Sequence, residues 1–352
     1  MSDITQEIID RVNGARANNT PLNIIGGNSK SSLGRTLTGE PLHMSAHSGI
    51  VSYQPVELIM TARAGTPISE IEAALAAQGQ TMAFEPPSYN DKATIGGTLA
   101  CNTSGAARPW TGSVRDAVTG IKLINGKGEL LNFGGQVLKN VAGYDASRLQ
   151  AGALGTLGVI TQVSFKVMPK PQSTVTLIEP MAAEEAIAKM NKLAGTAKPL
   201  TGACWVDNKL YLRLSGAKSA VEGTLAQWDG TLLEQDHNFW HALKEQQLPF
   251  FGDNKPLWRF SVNSAAAHFI PHQPWLIDWA GALRWCSANE QQEQMEDYAT
   301  QAKGQVSLYR GGDRATDVFH HQPIALRGIQ QRLKQTFDPQ NIFNRGRLYS
   351  WL

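Results

Sequence analysis

Apolar residues recur at helical spacing near the start of the chain. Ile4, Ile8, Ile9 and Val12 share one side of a helix predicted from residue 3 to about residue 18. Asn18-Asn19-Thr20-Pro21 breaks that pattern, and Leu22-Asn23-Ile24-Ile25 reads as a short strand running into Gly26-Gly27-Asn28-Ser29-Lys30. Leu58-Ile59-Met60-Thr61-Ala62-Arg63-Ala64-Gly65-Thr66-Pro67 reads as a second strand ending in a turn. Pro67 then opens a helix from Ile68 to Gln78 that carries Ile68, Ile71 and Leu75 on one face and is closed by Gly79. Gly120 to Phe133 reads as a hairpin turning at Asn125-Gly126-Lys127-Gly128. Val159 to Val167 alternates as a strand until Pro169 and Pro171 stop it.

After Pro171 the pattern changes. Thr174–Glu179 reads as a strand and Ala182–Leu193 as a helix, followed by a hairpin of Gly202–Val206 with Leu210–Leu214 and a helix from Ala217 to Trp228. A similar order is expected from about Leu257 to Leu308: strand, helix, a hairpin around Ala280-Gly281, helix and strand. Two such halves make an antiparallel sheet with helices on one side, an α+β domain. A last helix runs from about Pro323 to Thr336. The expected organisation is therefore a first domain over 1–170, an α+β cap domain over 171–322, and a C-terminal helix and tail over 323–352 that returns to the first domain.

Between Thr94 and Pro169 glycine and small residues are dense, notably in Thr94-Ile95-Gly96-Gly97-Thr98 and Gly152-Ala153-Leu154-Gly155-Thr156-Leu157-Gly158. Such residues let backbone amides approach a ligand closely. The reading is a cleft for a large, flat, phosphate-bearing ligand, set against the alternative of glycines serving tight turns alone. The Gly26–Lys30 turn lacks the Gly-Lys-Ser/Thr ending of a Walker A loop, and it is not Gly-x-Gly-x-x-Gly. The net charge of +2 provides no field for nucleic acid or anionic lipid. Apolar runs stop short of the roughly 20 residues a membrane span requires, and Met1–Glu7 lacks the basic start and apolar core of a signal peptide. Cys101, Cys204 and Cys286 have no metal-cluster spacing, and no metal is expected. His43 with His47, His237 with His241, His268 with His272, and His320-His321 are read as packing or solvated histidines.

Taken together, the glycine turn, Ala64-Gly65-Thr66, Ile95-Gly96-Gly97, Arg115-Asp116, Gly135-x-x-x-Lys139-Asn140-x-x-Gly143-Tyr144-Asp145, Gly155-x-x-Gly158-Val159-Ile160-Thr161 and Phe343-Asn344-x-Gly346 resemble a known family. It is the FAD-binding domain of the vanillyl-alcohol oxidase and p-cresol methylhydroxylase (PCMH-type) superfamily. Within it the chain is most similar to the D-2-hydroxyacid oxidases, and among these to the FAD-binding subunits of bacterial glycolate oxidase. The resemblance covers residues 4–170 and about the last twenty; the middle is less specific. It implies a two-subdomain FAD-binding fold. It also implies that Gly26, Gly27, Asn28 and Ser29 hold the pyrophosphate, with Asn28 where many relatives have a third glycine. Pro86, Gly96, Gly97 and Thr98 would line the other side, Asn102 and Gly105 the flavin end, Gly158, Val159 and Ile160 the adenine side, and Asn344 would return toward the isoalloxazine. No histidine lies between Asn23 and Pro41, so the FAD is expected to be non-covalent.

Catalytic relatives carry a His-x-Gly-Asp-Gly-Asn-type segment in the second domain. Here Tyr309-Arg310-Gly311-Gly312-Asp313-Arg314 keeps the Gly-Asp frame without the leading histidine. The resemblance with that loss implies an accessory, electron-relaying subunit of a multi-subunit glycolate oxidase. A homologous flavoprotein would oxidise glycolate, and D-lactate-like 2-hydroxy acids, to the 2-oxo acid. An iron–sulfur subunit would pass electrons on, and the complex would be cytoplasmic and peripheral to the inner membrane. The alternatives are a self-sufficient FAD-dependent D-2-hydroxyacid dehydrogenase and a structural subunit with a vestigial flavin site. The former would use Arg310, Arg314 or Arg284 as carboxylate clamp and His268, His272 or His320 as base.

Overall fold

The computed structural model describes residues 3–135, 146–268 and 273–352. The expected motif residues Lys139, Asn140, Gly143, Tyr144 and Asp145, and His272, lie outside the described residues.

Helix α1 (Thr5–Asn18) buries Ile8, Val12 and Ala15 and ends at Asn19, whose φ of 51° is the left-handed cap that asparagine tolerates. That stripe packs with Leu22, Leu42, Ile342 and Phe343 in one small core. Strand β1 (Leu22–Ile25) pairs in parallel with β2 (Glu40–His43), and on its other side Leu22 bridges Phe343 of the C-terminal segment. Four residues cannot hold themselves as a strand; here both edges are paired, one of them by chain from the far end of the sequence.

The next layer contains β3 (Ile50–Gln54), β4 (Ile59–Arg63), α2 (Ile68–Ala76), α3 (Ile95–Cys101), β5 (Val118–Ile124), β6 (Leu130–Gly134) and β7 (Val159–Lys166). The strands form an antiparallel sheet in the order β3-β4-β7-β5-β6. The α2 stripe of Ile68, Ile71 and Leu75 packs with Ile95 and Leu99 of α3 against Met60, Val163 and Phe165 of the sheet. The glycine-rich Ile95–Cys101 run is a helix because Thr94 caps it, its hydroxyl accepting from the Gly97 amide at 3.2 Å.

The second domain holds β8 (Ser173–Pro180), α4 (Ala183–Ala194), β9 (Leu200–Val206), β10 (Lys209–Gly216), α5 (Lys218–Leu225), α6 (Asp236–Lys244), β11 (Leu257–Ser261), β12 (Trp275–Asp278), β13 (Leu283–Ser287), α7 (Gln292–Gln301) and β14 (Gln305–Arg310). Its sheet runs β8-β10-β9-β12-β13-β11-β14, all neighbours antiparallel, with a two-residue strand at Thr231–Leu232 beyond β8. The two halves β8-β10-β9 and β11-β13-β12 repeat one pairing pattern and meet at the single bridge Trp205↔Ile277. The halves differ in one respect from expectation: the described residues between Ser261 and Trp275 contain no helix, and α6 precedes β11 instead. The interior side chains of α4, α5 and α7 share one core with one sheet face. The opposite face carries Cys204, Leu276 and Trp285, and packs on α6 and on Ala106 of the first domain.

Helix α8 (Ile324–Phe337) then leads back to β1, and the only residue it buries is Lys334.

Candidate functional site

The turn after β1 and the start of α3 face one another across a cleft of about 890 Å³, counting its open mouth. Two glycines are there because nothing larger fits. A Cβ on Gly27 would stand 1.4 Å from the Lys92 carbonyl oxygen, and one on Gly96 would stand 2.6 Å from the Ala64 Cβ. Between them Asn28 takes φ 56°, a left-handed conformation that asparagine accepts.

Gly26, Gly27, Asn28 and Ser29 line it together with Gly96, Gly97, Gly158, Ile160 and Asn344. Asn344 is held there by three bonds. Its side-chain oxygen accepts from the Ile24 amide at 2.7 Å, its side-chain nitrogen donates to the Leu154 carbonyl at 2.6 Å, and its own amide donates to the Leu22 carbonyl at 2.9 Å.

Three expected residues do not present their side chains to the cleft. Val159 alternates to the other side of its strand and is fully buried beside Ile8, Val12 and Ile124. Thr98 is fully buried within α3. Pro86 is buried, and its neighbour Pro87 lines a second cavity in its place.

That second cavity, about 1430 Å³ with its mouth, lies between the two domains and includes Asn102 and Gly105. Cys101 and Leu154 belong to both cavities and form the wall they share. Trp279 roofs the larger one, its indole nitrogen donating to the Gly105 carbonyl at 2.9 Å. The Arg108 guanidinium lies 4.4 Å from the Trp279 ring centre, and that of Arg259 lies 5.3 Å from Trp279 and 5.8 Å from Trp285. Neither arginine has a carboxylate in ion-pair contact among the described residues, and burial lowers the pKa of both. The Tyr89 and Tyr309 hydroxyls meet at 3.0 Å, and burial raises both phenols. Asp278 also lines this cavity. Burial pushes its carboxyl up to about 7, against the Trp279 amide it accepts at 2.7 Å and the field of Arg213.

The domains are fastened beside this cavity by two carboxylates. Glu85 accepts from Arg213 at 2.7 Å and from the Ala107 amide at 3.1 Å. Glu245 accepts from the Ser88 and Tyr89 amides at 2.9 and 2.6 Å. Both partners are held and desolvated, so these are stronger than surface ion pairs.

The catalytic candidates read from the sequence lie elsewhere. Arg284 is fully buried and donates to the carbonyls of Gly281 and Ala267 at 3.0 and 2.8 Å, a fold-holding role. Arg310 donates to the Phe251 carbonyl and Arg314 to the Leu308 carbonyl. His268 is wedged against Trp205 and Trp275. No described histidine lines either cavity, and the described residues contain no cluster of three metal-ligating side chains. Sequence reasoning passed over Lys30, Arg108, Arg259, Tyr89 and Tyr309. Arg259 carried a signal: an arginine alternating with Trp258 and Phe260 in a central strand faces the side away from them, where a cation needs a reason.

The residues fit FAD. The glycine-lined cleft leaves room for a dinucleotide against backbone amides, and the Ser29 hydroxyl adds a donor suited to an anion. Asn102 Oδ1 and Thr103 Oγ1 are buried without a partner among the described residues, on the side where the cleft meets the larger cavity.

Comparison with known proteins agrees. A family described as an FAD binding domain matches residues 3–134. The chain is 43% identical over 350 residues to glycolate oxidase subunit GlcE of Escherichia coli (strain K12), covering 99% of each. It is 29% identical over 210 residues to a D-lactate dehydrogenase of Anaerostipes hadrus, spanning 56% of this chain and 44% of that one. It is 38% identical over 97 residues to glycolate oxidase subunit GlcD of Bacillus subtilis (strain 168), spanning 27% and 21%. A solved alkyldihydroxyacetonephosphate synthase superposes with a TM-score of 0.66 at 18% identity, over 96% of this chain and 74% of that one, which shows a shared fold. No helix among the described residues is long and apolar enough to cross a membrane.

Proposed function

Because the chain belongs to the family of glycolate oxidase subunit GlcE, FAD-dependent oxidoreductases, we propose that it serves as an accessory, electron-relaying FAD subunit of a glycolate oxidase. In this reading FAD is held non-covalently in the glycine-walled cleft, and a homologous flavoprotein subunit oxidises glycolate and D-lactate-like 2-hydroxy acids. An iron–sulfur subunit carries electrons onward, and the assembly sits in the cytoplasm at the inner membrane. Bound FAD would supply the two-electron acceptor. The chain's own residues would do the rest: the amides and Ser29 hold the phosphates, Gly27 and Gly96 let the cleft's backbone pack closely on Lys92 and Ala64, and Tyr89, Trp279 and Trp285 line the larger cavity.

One observation carries the accessory role. The larger cavity has two arginines able to receive a carboxylate, yet no described histidine stands in it to take a hydroxyl proton. The one carboxylate among the described residues that line it, Asp278, already accepts from the Trp279 amide.

A second reading rests on that same Asp278. With its pKa held near 7, it is poised as a base, and Arg259 and Arg108 would hold the acid, making the chain a self-sufficient 2-hydroxyacid dehydrogenase. Anaerobic titration of the purified chain with glycolate and D-lactate, watching the flavin band near roughly 450 nm, separates the readings. A band that stays oxidised with acid alone and bleaches once the catalytic flavoprotein is added supports the accessory role. Bleaching by acid alone overturns it in favour of the dehydrogenase. A chain that cannot be loaded with FAD leaves only a vestigial cleft.

A further inference from the structure

Lys30 directly follows the Gly26–Ser29 turn, half-buried and turned into the cleft. It also lines a side cavity of about 550 Å³ with Tyr89, Glu245, Gln246, Tyr309 and Arg310, so it stands where cleft and larger cavity approach one another. Its hydrogen bond is to the Ser29 hydroxyl at 3.3 Å, and the Tyr89 ring centre lies 5.2 Å away. No carboxylate is within ion-pair contact of it among the described residues. The acidic group whose field reaches it, Glu245, gives its oxygens to the Ser88 and Tyr89 amides and faces Lys244. Arg347 adds a second cation by donating to the Lys30 and Ser31 carbonyls. Both cations act on Cys101 in the shared wall.

A half-buried ammonium that donates to one hydroxyl, beside an aromatic face and a carboxylate already engaged by two amides, keeps charge to offer a ligand of the opposite sign. The pyrophosphate already has the amides of residues 26–29. With FAD in the cleft, the part of the cofactor at the shared wall would be its redox ring, since that is where a molecule in the larger cavity could meet it. Two-electron reduction adds negative charge to that ring, and a nearby fixed cation stabilises the reduced form more than the oxidised form. We propose that Lys30, with Arg347 behind it, raises the reduction potential of the bound flavin and so makes this subunit an electron acceptor. This rests on the reading that FAD occupies the cleft.

The test uses the full chain as wild type, Lys30→Met and Lys30→Arg. The readouts are the midpoint potential with a reference dye and the affinities of the apoprotein for oxidised and for reduced FAD. Lys30→Met is expected to bind oxidised FAD within about twofold of wild type and reduced FAD about tenfold more weakly or worse, a fall of about 30 mV for a two-electron couple. Lys30→Arg should stay close to wild type. Equal weakening toward both forms would make Lys30 a phosphate ligand and overturn the proposal, as would no change toward either. Lys30→Gln takes the place of Lys30→Met if the methionine variant does not fold. Failure of the wild type to bind FAD is a distinct result, and it would remove the cofactor reading itself.

Discussion

Replacing Lys334 by methionine should loosen the first domain from its C-terminal end. The Lys334 side chain is 7% exposed, and its ammonium donates to the Thr156 carbonyl at 2.7 Å, to Asp338 Oδ2 at 2.7 Å and to the Phe343 carbonyl at 2.9 Å. Asp338 in turn accepts from the Ile342 and Phe343 amides at 3.1 and 2.8 Å. One buried ion pair thereby ties α8 to the loop bearing Gly155 and Gly158 and to the segment that pairs with β1. Methionine keeps the apolar stem and removes all three donors. Two buried carbonyls left unpaired cost about 1–3 kcal/mol each, and one-sided loss of a buried pair costs about 3–5 kcal/mol. These costs overlap and the amides that Asp338 retains offset part of them, so the one-sided loss of about 3–5 kcal/mol is the expected size. Hydrogen exchange reads the effect where it arises, because the Leu22 amide donates to the Ile342 carbonyl and the Ile24 amide to Asn344. Opening at those two amides should become easier by that amount. Lys334→Met with Asp338→Asn should cost less than the two single changes added, since no lone charge remains. Exchange at Leu22 and Ile24 within about 1 kcal/mol of wild type in Lys334→Met would refute the argument.

Asp278 gives a pH dependence with a definite sign. Its folded pKa of about 7 lies above the unbound value of 3.8, so the folded chain keeps a proton that the unfolded chain has released. The stability this contributes is full below about pH 4 and is lost as pH rises through about 7, by up to about 4 kcal/mol. Asp278→Asn keeps an acceptor for the Trp279 amide, so its urea stability should gain on wild type between about pH 5 and about pH 8; parallel curves would show that the carboxyl is not held protonated. Gly27→Ala forces the turn off the Lys92 carbonyl. The variant should purify folded by circular dichroism but without a flavin spectrum, and full flavin content would contradict the cradle. In the second reading, where this chain itself holds the acid, Arg259→Met should weaken glycolate binding by about tenfold or more, the worth of a charge-assisted bond. Quenching of tryptophan fluorescence from Trp279 and Trp285 measures it, and an unchanged affinity would place the acid elsewhere.

Period and turn chemistry made much of the fold readable. The α1 stripe, the Pro67-opened helix, the hairpin at Asn125-Gly126 and the β8–α4–β9–β10 half all follow from interactions within about a dozen residues. The Gly26–Ser29 turn and the Gly96-Gly97 pair were legible as close-approach glycines, and their order along the chain carried the family. Strands β2 and β3 escaped notice because Pro41 and short length hide them, and α3 because two glycines argue against a helix until Thr94 and the Ala64 contact are known. Alternation in β7 turns the Val159 side chain into the core, while its neighbours Gly158 and Ile160 line the cleft.

By itself, then, the sequence determined which segments become strands and helices, which glycines pack too closely for a side chain, and the FAD-binding family. The tertiary structure alone decided which charges converge. Asn344 meets Ile24 across 320 residues, Arg213 meets Glu85 across 128, and Lys334 meets Thr156 across 178. Arg108 and Arg259 share one tryptophan although they lie in different domains. No periodicity encodes such meetings. Local preferences depend on neighbours in the chain, whereas the burial of a charge depends on everything folded around it.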